Sequence, residues 1–503
     1  MMETFTWLMK GFGWALQPDK LLYALIGSFV GTAVGVLPGL GPTATMALLL
    51  SALGGLSPVG GLVILAAIYY GAMYGGSTTS IVVNIPGESA SVVTCLDGYP
   101  LSRKGKAGAA LSIAAISSIV AGMLSLVGLV FFAPPLAGVA LAFGSPEYLG
   151  LTIFSLSLIV GLSGKSLRKG FIAALLGLAV STVGLDPMTA VPRLTFGFKK
   201  MIGGIDVVVA CVGLFGISEV LLNIKPEGGQ IYGKVTKLYP TLQELRETWG
   251  SMIRSAFIGF FPGLLPGCTA TTISFMAYEA ERRVSKRGHL FGTGVLEGVA
   301  APEGANNAAV SGQFVTLLSL GLPTSPIMAL LLAAMMIYGI QPGPRVFVEH
   351  PDVVWTMVAS MFVGNLFCVI LNLPLVGLWV KLLSVPYRFL GPLILVVCLI
   401  GAFSVENAML DVWIMLGFGL IGVAMRGLGY PLAPMVLGMI LGPLFERSFR
   451  QSITMLGSLT GMVGRPIALG FLILTLLYLA AFLGVPYFKR FLKRRGEPRN
   501  EGK

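Results

Sequence analysis

Long apolar blocks dominate this chain, and short polar stretches interrupt them at a few recurring places. Gly108–Pro134, Gly170–Val183, Val353–Leu378, Leu390–Phe403 and Ile467–Pro486 are nearly free of charge. Roughly 20 apolar residues cross a bilayer as a helix. The pattern predicts an all-α polytopic membrane protein with about 10–14 transmembrane or re-entrant helices. Within it, Tyr74–Gly87 (YGGSTTSIVVNIPG) stands out as a polar island between apolar segments. Irregular backbone at bilayer depth is tolerated only where protein buries it or a wet cavity receives it. The island is therefore expected to form half of a binding site at the membrane midplane.

A second set of breaks matches the first. Gly27, Gly31, Gly35 and Gly39 recur every fourth residue, a face on which another helix can approach closely. This face is cut by LPGLGPTAT (Leu37–Thr45), and LPGCTAT (Leu265–Thr271) repeats the cut later in the chain. PPLAGVALAFGSPEYLG (Pro134–Gly150) likewise resembles LPLVGLWVKLLSVPYRFLG (Leu373–Gly391). The polar island has its counterpart in EGANNAAVSGQFVTLLSLGLPTSP (Glu303–Pro326). Paired breaks at corresponding places in two halves point to a transporter site.

Composition narrows the class and charge orients it. The chain is 55% hydrophobic and 11% charged, with mean hydropathy +0.86, against about 25% charged residues in soluble domains. Its net charge of +12 sits in short loops beside apolar runs, which reads as positive-inside topology and not as nucleic-acid binding. Basic loops lie at 97–108 and 164–170 in the first half but at 281–288 in the second. The loops at 338–352 and 404–411 are acidic. The halves are thus expected to cross in opposite directions, as two inverted-topology repeats. The expected organisation is an amphipathic N-terminal segment (1–20), repeat 1 (21–224), a cytoplasmic linker with a short interfacial helix (225–250) and repeat 2 (251–462). A last transmembrane helix (463–488) and a basic cytoplasmic tail (489–503) complete it. Five scattered cysteines with no CxxC suggest neither a disulfide frame nor a metal site.

Each candidate residue carries a plain structural reading beside a functional one. Ser77, Thr78, Thr79, Asn84, Pro86 and Gly87 in the first half, with Asn306, Asn307, Thr324 and Ser325 in the second, are the substrate-binding candidates. Such hydroxyls and amides also glue membrane helices together. Neither cluster contains Arg or Lys, so an anion there would rest on N–H groups, hydroxyls and amides, with co-bound Na⁺ balancing charge. Thr43, Thr45, Thr269 and Thr271 follow the helix breaks at Pro38–Gly39 and Pro266–Gly267. They suit ion coupling, and equally suit helix caps. Glu297 and Glu303 are ion-coupling candidates, ahead of Asp206 and Glu219. Glu303, following Pro302, also reads as a residue at a helix N-terminus. GLSGKS (Gly161–Ser166) lacks the first glycine of a phosphate loop, and two histidines are too few for a metal or nucleophile set. No enzymatic constellation is visible.

YYGAMYGGSTTSIVVNIPG, VVTCLDGYPLSRKGKAGAALSIAAI, FFAPPLA, EGVAAPEGANNAA, IYGIQPGP, LNLPLVGL and YPLAPMVLGMILGPLFERSFRQS together resemble the large membrane subunit of the tripartite tricarboxylate transporters. The resemblance covers nearly the whole chain. It implies a bacterial inner-membrane secondary transporter with no cofactor, importing a carboxylate on an ion gradient, Na⁺ before H⁺. It also implies a small four-helix membrane subunit and a periplasmic solute-binding protein as partners, with a homo-oligomer open to it as well. The chain departs from the family pattern at Thr324, at Cys268 and Thr269, and at Glu88 with Ser89. The rival readings are a channel, a permease subunit for another small solute, including one driven by an ATPase, and an intramembrane enzyme. Inverted repeats put Arg103 and Arg283 on one membrane face. Cysteines placed there should react with the same impermeant reagent from the same side, and labelling from opposite sides would overturn the inversion.

Overall fold

The computed structural model describes residues 2–37, 41–52, 55–84, 86–162, 166–186, 188–222, 239–382 and 407–480, with scattered positions from 391 to 403. Nearly all of it is helix. The helices are α1 (Met2–Ala15), α2 (Pro18–Val36), α3 (Pro42–Ala52), α4 (Pro58–Val83), α5 (Cys95–Arg103), α6 (Ala107–Ala140), α7 (Ser145–Leu162) and α8 (Leu167–Ser181). After a two-residue antiparallel ladder (Gly184–Leu185 with Pro192–Arg193) come α9 (Val207–Leu222), α10 (Leu242–Gly263), α11 (Ala270–Val284), α12 (Glu297–Leu320) and α13 (Pro326–Ile337). α14 (Pro351–Asn372), α15 (Val376–Leu382), α16 (Met409–Gly427), α17 (Leu432–Leu456) and α18 (Pro466–Ala480) finish the described chain. Six of these are long and apolar enough to cross a membrane: α2, α4, α6, α14, α16 and α17. The protein is a multi-pass membrane protein.

Two tight helix pairs set the centre. α2 lies on α4 so closely that a Cβ at Gly31 would sit 2.4 Å from the carbonyl oxygen of Ile68, and one at Gly35 2.3 Å from that of Ala72. α10 lies on α12 in the same way: a Cβ at Gly259 would meet the carbonyl of Ala305 at 2.4 Å. Only glycine permits such backbone contact, and in lipid this close packing drives association. Gly39, the fourth residue of the repeat, lies outside the described residues.

α4 and α12 stay helical to Val83 and Leu320, so the irregular backbone expected across Tyr74–Gly87 is confined to the last positions of each polar stretch. The physical reason is that the hydroxyls satisfy carbonyls already in place. Ser77 donates to the Tyr74 carbonyl (2.7 Å) and Ser80 to that of Gly76 (3.0 Å). Thr79 crosses to α2 and donates to the carbonyl of Val36 (2.7 Å), two residues before Pro38. Thr316 does the same in the second half, reaching the carbonyl of Leu264 (2.6 Å), two residues before Pro266. Both long helices then stop on a residue with positive φ, Asn84 (61°) and Gly321 (69°), the left-handed geometry that ends helices. The chain breaks after these residues, in the last few positions of each island.

Two further expectations change. The KLYPTLQELRETW run is not a separate interfacial helix from Leu242 onward. It forms the first turns of the 22-residue α10, started by a capping box between Thr241 and Glu244. Glu303 is not at a helix N-terminus either. α12 begins at Glu297 and carries Pro302 inside it, with Ser117 donating to the carbonyl of Ala300 nearby (2.6 Å).

Two of the basic loops, at 97–108 and 281–288, lie at one place in the fold. Lys106 pairs with Glu244 at 3.6 Å, Lys104 donates to the carbonyl of Thr293 at 2.6 Å, and Arg287 pairs with Glu247 and Glu297 at 2.8 and 2.7 Å. Buried Asp97 fastens this region, accepting from the backbone N–H groups of Gly292, Gly294 and Val295 and from the Tyr278 hydroxyl. Elsewhere the uncharged loop before α4 meets the loop after α13, Tyr338 closing over Gly61.

Gly31→Leu should prevent α2 from seating on α4 and abolish recovery of monodisperse protein in detergent. Gly13→Leu, with nothing within 4 Å of its Cβ, should be recovered like the wild type. Thr79→Val and Thr316→Val each remove one buried hydrogen bond and strand a carbonyl, and should lower unfolding free energy by about 1–3 kcal/mol.

Candidate functional site

The stops after α4 and α12 do not end the polar construction; they aim it. Beyond Asn84 the chain turns through Pro86–Gly87, where a Cβ on Gly87 would lie 1.9 Å from the carbonyl oxygen of Gly35. A short turn follows at Ser89–Val92, capped by the Glu88 side chain, which accepts from Ala90 N–H (2.7 Å). Beyond Gly321 the chain turns through Thr324, and Ser325 caps α13 by accepting from Met328 N–H (3.3 Å). The two turns and the starts of α3 and α11 face one space. Thr271 donates to the Ser89 hydroxyl (2.9 Å), and Gly267 N–H donates to the carbonyl of Thr324 (3.2 Å).

That space is a cavity of about 770 Å³. Its walls are starting turns of helices: Pro42–Ala44 of α3, Thr269–Thr272 of α11, Ser325–Ile327 of α13 and Pro431–Ala433 of α17, with Pro86–Ser89 between them. Each helix start presents N–H groups with no partner inside the helix and the positive end of its dipole. Thr269 takes up one such group by accepting from Thr272 N–H (3.3 Å). Tyr69, Met73, Phe215 and Phe275 supply apolar and aromatic wall. Among the described lining residues Arg426 is the only cation and Glu88 the only anion. Behind the wall, Gln313 fixes the frame. It accepts from the hydroxyls of Tyr69 (2.8 Å) and Ser325 (3.2 Å) and donates to the carbonyl of Cys268 (3.4 Å).

The structure brings Thr43, Pro86, Gly87, Thr269, Thr271 and Ser325 to the cavity. Thr324 lies just behind it, fully buried, its hydroxyl without a partner. Thr45 is one turn along α3 and donates to the carbonyl of Gly41 (3.3 Å). Pro266 and Gly267 form the second break, Gly267 with φ of 86°; Pro38 and Gly39 lie outside the described residues. The remaining candidates are elsewhere. Ser77, Thr78 and Thr79 are buried within the helix packing, and Asn84 is an exposed helix end.

Asn306 donates to Glu303 (3.3 Å), Asn307 donates to Ser118 (2.9 Å) and to the Glu303 carbonyl (3.1 Å), and Thr94 donates to the Glu303 carboxylate. This network ties α12 to α6 and α5 and lines no part of the cavity. Glu297 belongs to the ion pairs with Arg287 at the basic loops. Asp206 caps α9, accepting from the N–H groups of Val208 and Val209; the Glu219 side chain lies outside the described residues. Ser, Thr and Asn on a helix look alike in sequence whether they bond to a neighbour or to a ligand.

Sequence reasoning overlooked Tyr69, Gln313 and Arg426. Arg426 had a visible signal: it precedes GLGYPLAP, a third Pro-containing break that starts α17 at the cavity. Neither polar cluster contains Arg or Lys, and this cation comes from outside both.

The family described as "Tripartite tricarboxylate transporter TctA family" matches residues 21–437. A relative from Agrobacterium vitis, described as an uncharacterized 52.8 kDa protein in the TAR-I ttuC' 3'region, is 44% identical over 471 residues, covering 93% of this chain and 94% of the relative. A second from the same organism, an uncharacterized protein in the TAR-II ttuC' 3'region, is 45% identical over 211 residues, covering 42% of this chain and 87% of the relative. No solved structure matches. A family match over most of the chain, on a multi-pass helical fold, makes the conclusion direct: the chain belongs to the tripartite tricarboxylate transporter TctA family.

Proposed function

We propose that this protein is the permeation subunit of a secondary transporter that imports a carboxylate, and that the cavity between the helix starts holds the substrate. The observation that carries the reading is the convergence of four helix N-termini and Arg426 on one space of about 770 Å³. Helix starts bind anions through free N–H groups and the dipole, and Arg binds carboxylates with two parallel hydrogen bonds. The volume lies within the range of ligand sites and leaves room for a di- or tricarboxylate.

Coupling to a cation, Na⁺ foremost, fits the same walls. Thr43, Thr269, Thr271 and Ser325 stand beside breaks where helix ends and turns supply oxygen ligands. Alternating access by two inverted repeats, in an elevator-type motion, fits the paired construction. The basic loops at 97–108 and 281–288 lie close together, while their counterparts around Gly61 and Tyr338 meet each other. A bacterial inner-membrane location with a cytoplasmic C-terminus follows the positive-inside pattern. A periplasmic binding protein and a small membrane subunit complete the assembly that the family's description as tripartite implies. In this reading the Asn306–Asn307 network transmits movement between α12 and α6 and touches no substrate.

Arg426→Gln should weaken citrate binding to the purified chain by about 10- to 100-fold, the loss of one charged hydrogen-bond partner, with Arg426→Lys intermediate. Calorimetric titration in lipid nanodiscs reads the affinity, and wild-type affinity in Arg426→Gln would remove the cavity as the anion site. Asn307→Ala should leave citrate affinity unchanged while lowering the melting temperature.

A further inference from the structure

The one acid among the described cavity residues is out of place in a site for anions. Glu88 lines the space alongside Arg426 and the helix starts, and is 6% exposed. Its Oε2 is locked by the Ala90 N–H at 2.7 Å, and the Ser91 hydroxyl donates to the Glu88 carbonyl at 2.8 Å, so the side chain is held and not swinging free. The other oxygen, Oε1, is buried with no hydrogen-bond partner.

Capping alone does not call for an acid here. The chain after α4 reads Asn84-Ile85-Pro86-Gly87-Glu88, and the chain after α12 reads Gly321-Leu322-Pro323-Thr324-Ser325. Ser325 occupies the matching position, caps its helix with a neutral hydroxyl and lines the same cavity. The charge at Glu88 is therefore additional to the structural task, and it stands on only one of the two turns. An ionised Glu88 would repel an incoming carboxylate, whereas a protonated one would not. A buried Oε1 with no hydrogen-bond partner suits a proton, since a proton needs no cage of oxygen ligands.

We propose that Glu88 takes up one proton from solution when the carboxylate binds, making it the proton-coupling residue of this site. The step is Glu88 carboxylate plus H⁺ giving the carboxylic acid, and it reverses when the substrate leaves. The inference rests on the cavity being the carboxylate site. Tyr69 from α4 and Arg426 from α16 line the same space as Glu88, and Glu303 from α12 is the other acid whose charge acts on it. Glu303 is already satisfied by Thr94 and Asn306, so of these two carboxylates Glu88 is the one with an open oxygen.

The test is calorimetric titration of citrate into the full chain in nanodiscs, in buffers of different ionisation heat and across a pH series. Only pH values at which all three citrate carboxyls are ionised are used. The wild type should take up protons on binding and lose citrate affinity as pH rises, by about 5- to 150-fold in all, the usual size of coupling between two sites. Glu88→Gln should bind citrate with the affinity the wild type reaches at low pH, with no proton uptake and no pH slope. Glu88→Asp keeps the titration and serves as the folding control, while Glu303→Gln should behave like the wild type. Equal proton uptake in the wild type and Glu88→Gln would overturn the proposal. So would a wild-type affinity that follows Na⁺ and not pH and loses that dependence in Glu88→Gln, which would make Glu88 a sodium ligand. Binding of no carboxylate by folded wild-type protein would instead remove the site reading on which the proposal stands.

Discussion

A helix that stops inside a bilayer leaves N–H groups at its start and carbonyls at its end without partners, in a medium that offers none. The centre of this protein is arranged around that cost. Thr79 and Thr316 each take up the carbonyl two residues before a Pro-Gly break, and glycine seams bring α2 onto α4 and α10 onto α12 so that these threonines can reach. The carbonyl side of each break is thus satisfied by protein. The N–H side, at the starts of α3, α11, α13 and α17, faces a shared cavity. Helix starts gathered on one space are the arrangement on which the proposed carboxylate site rests.

The arrangement separates a helical frame from the turns that line the cavity. α4 and α12 form the frame, joined through Tyr69 to Gln313 and Tyr70 to Ser311. The turns at Pro86–Gly87 and Leu322–Ser325 hang from the ends of that frame and carry the lining residues. Gln313 reaches the Ser325 turn, the carbonyl of Cys268 and the Tyr69 hydroxyl together. A shift of one turn against the breaks has to be felt at Gln313. Arg426 arrives from a third break, so the charge that complements the N–H groups rides on α16, outside both repeated polar stretches.

Much of the fold was legible in the sequence. Glycines spaced by four at 27, 31 and 35 do form the face that accepts another helix, and the polar stretches are followed by sharp stops. The site was half legible. Thr269 beside a Pro-Gly break could be read as a helix start, because capping chemistry is local. The roles of Thr79, Asn306 and Asn307 could not be read, because their partners Val36, Glu303 and Ser118 are fixed by helix rotation and not by spacing along the chain. Glu303 was misplaced for a local reason: a proline one residue earlier suggests a helix start, yet α12 absorbs Pro302.

The central claim is that substrate sits among helix starts and not among the polar side chains of α4 and α12. A cryo-electron microscopy map of the chain in nanodiscs with saturating citrate tests this most directly. The account predicts ligand density bounded by the starts of α3, α11 and α13 and by Arg426. Density between α6 and α12, in contact with Asn306 and Asn307, would contradict it.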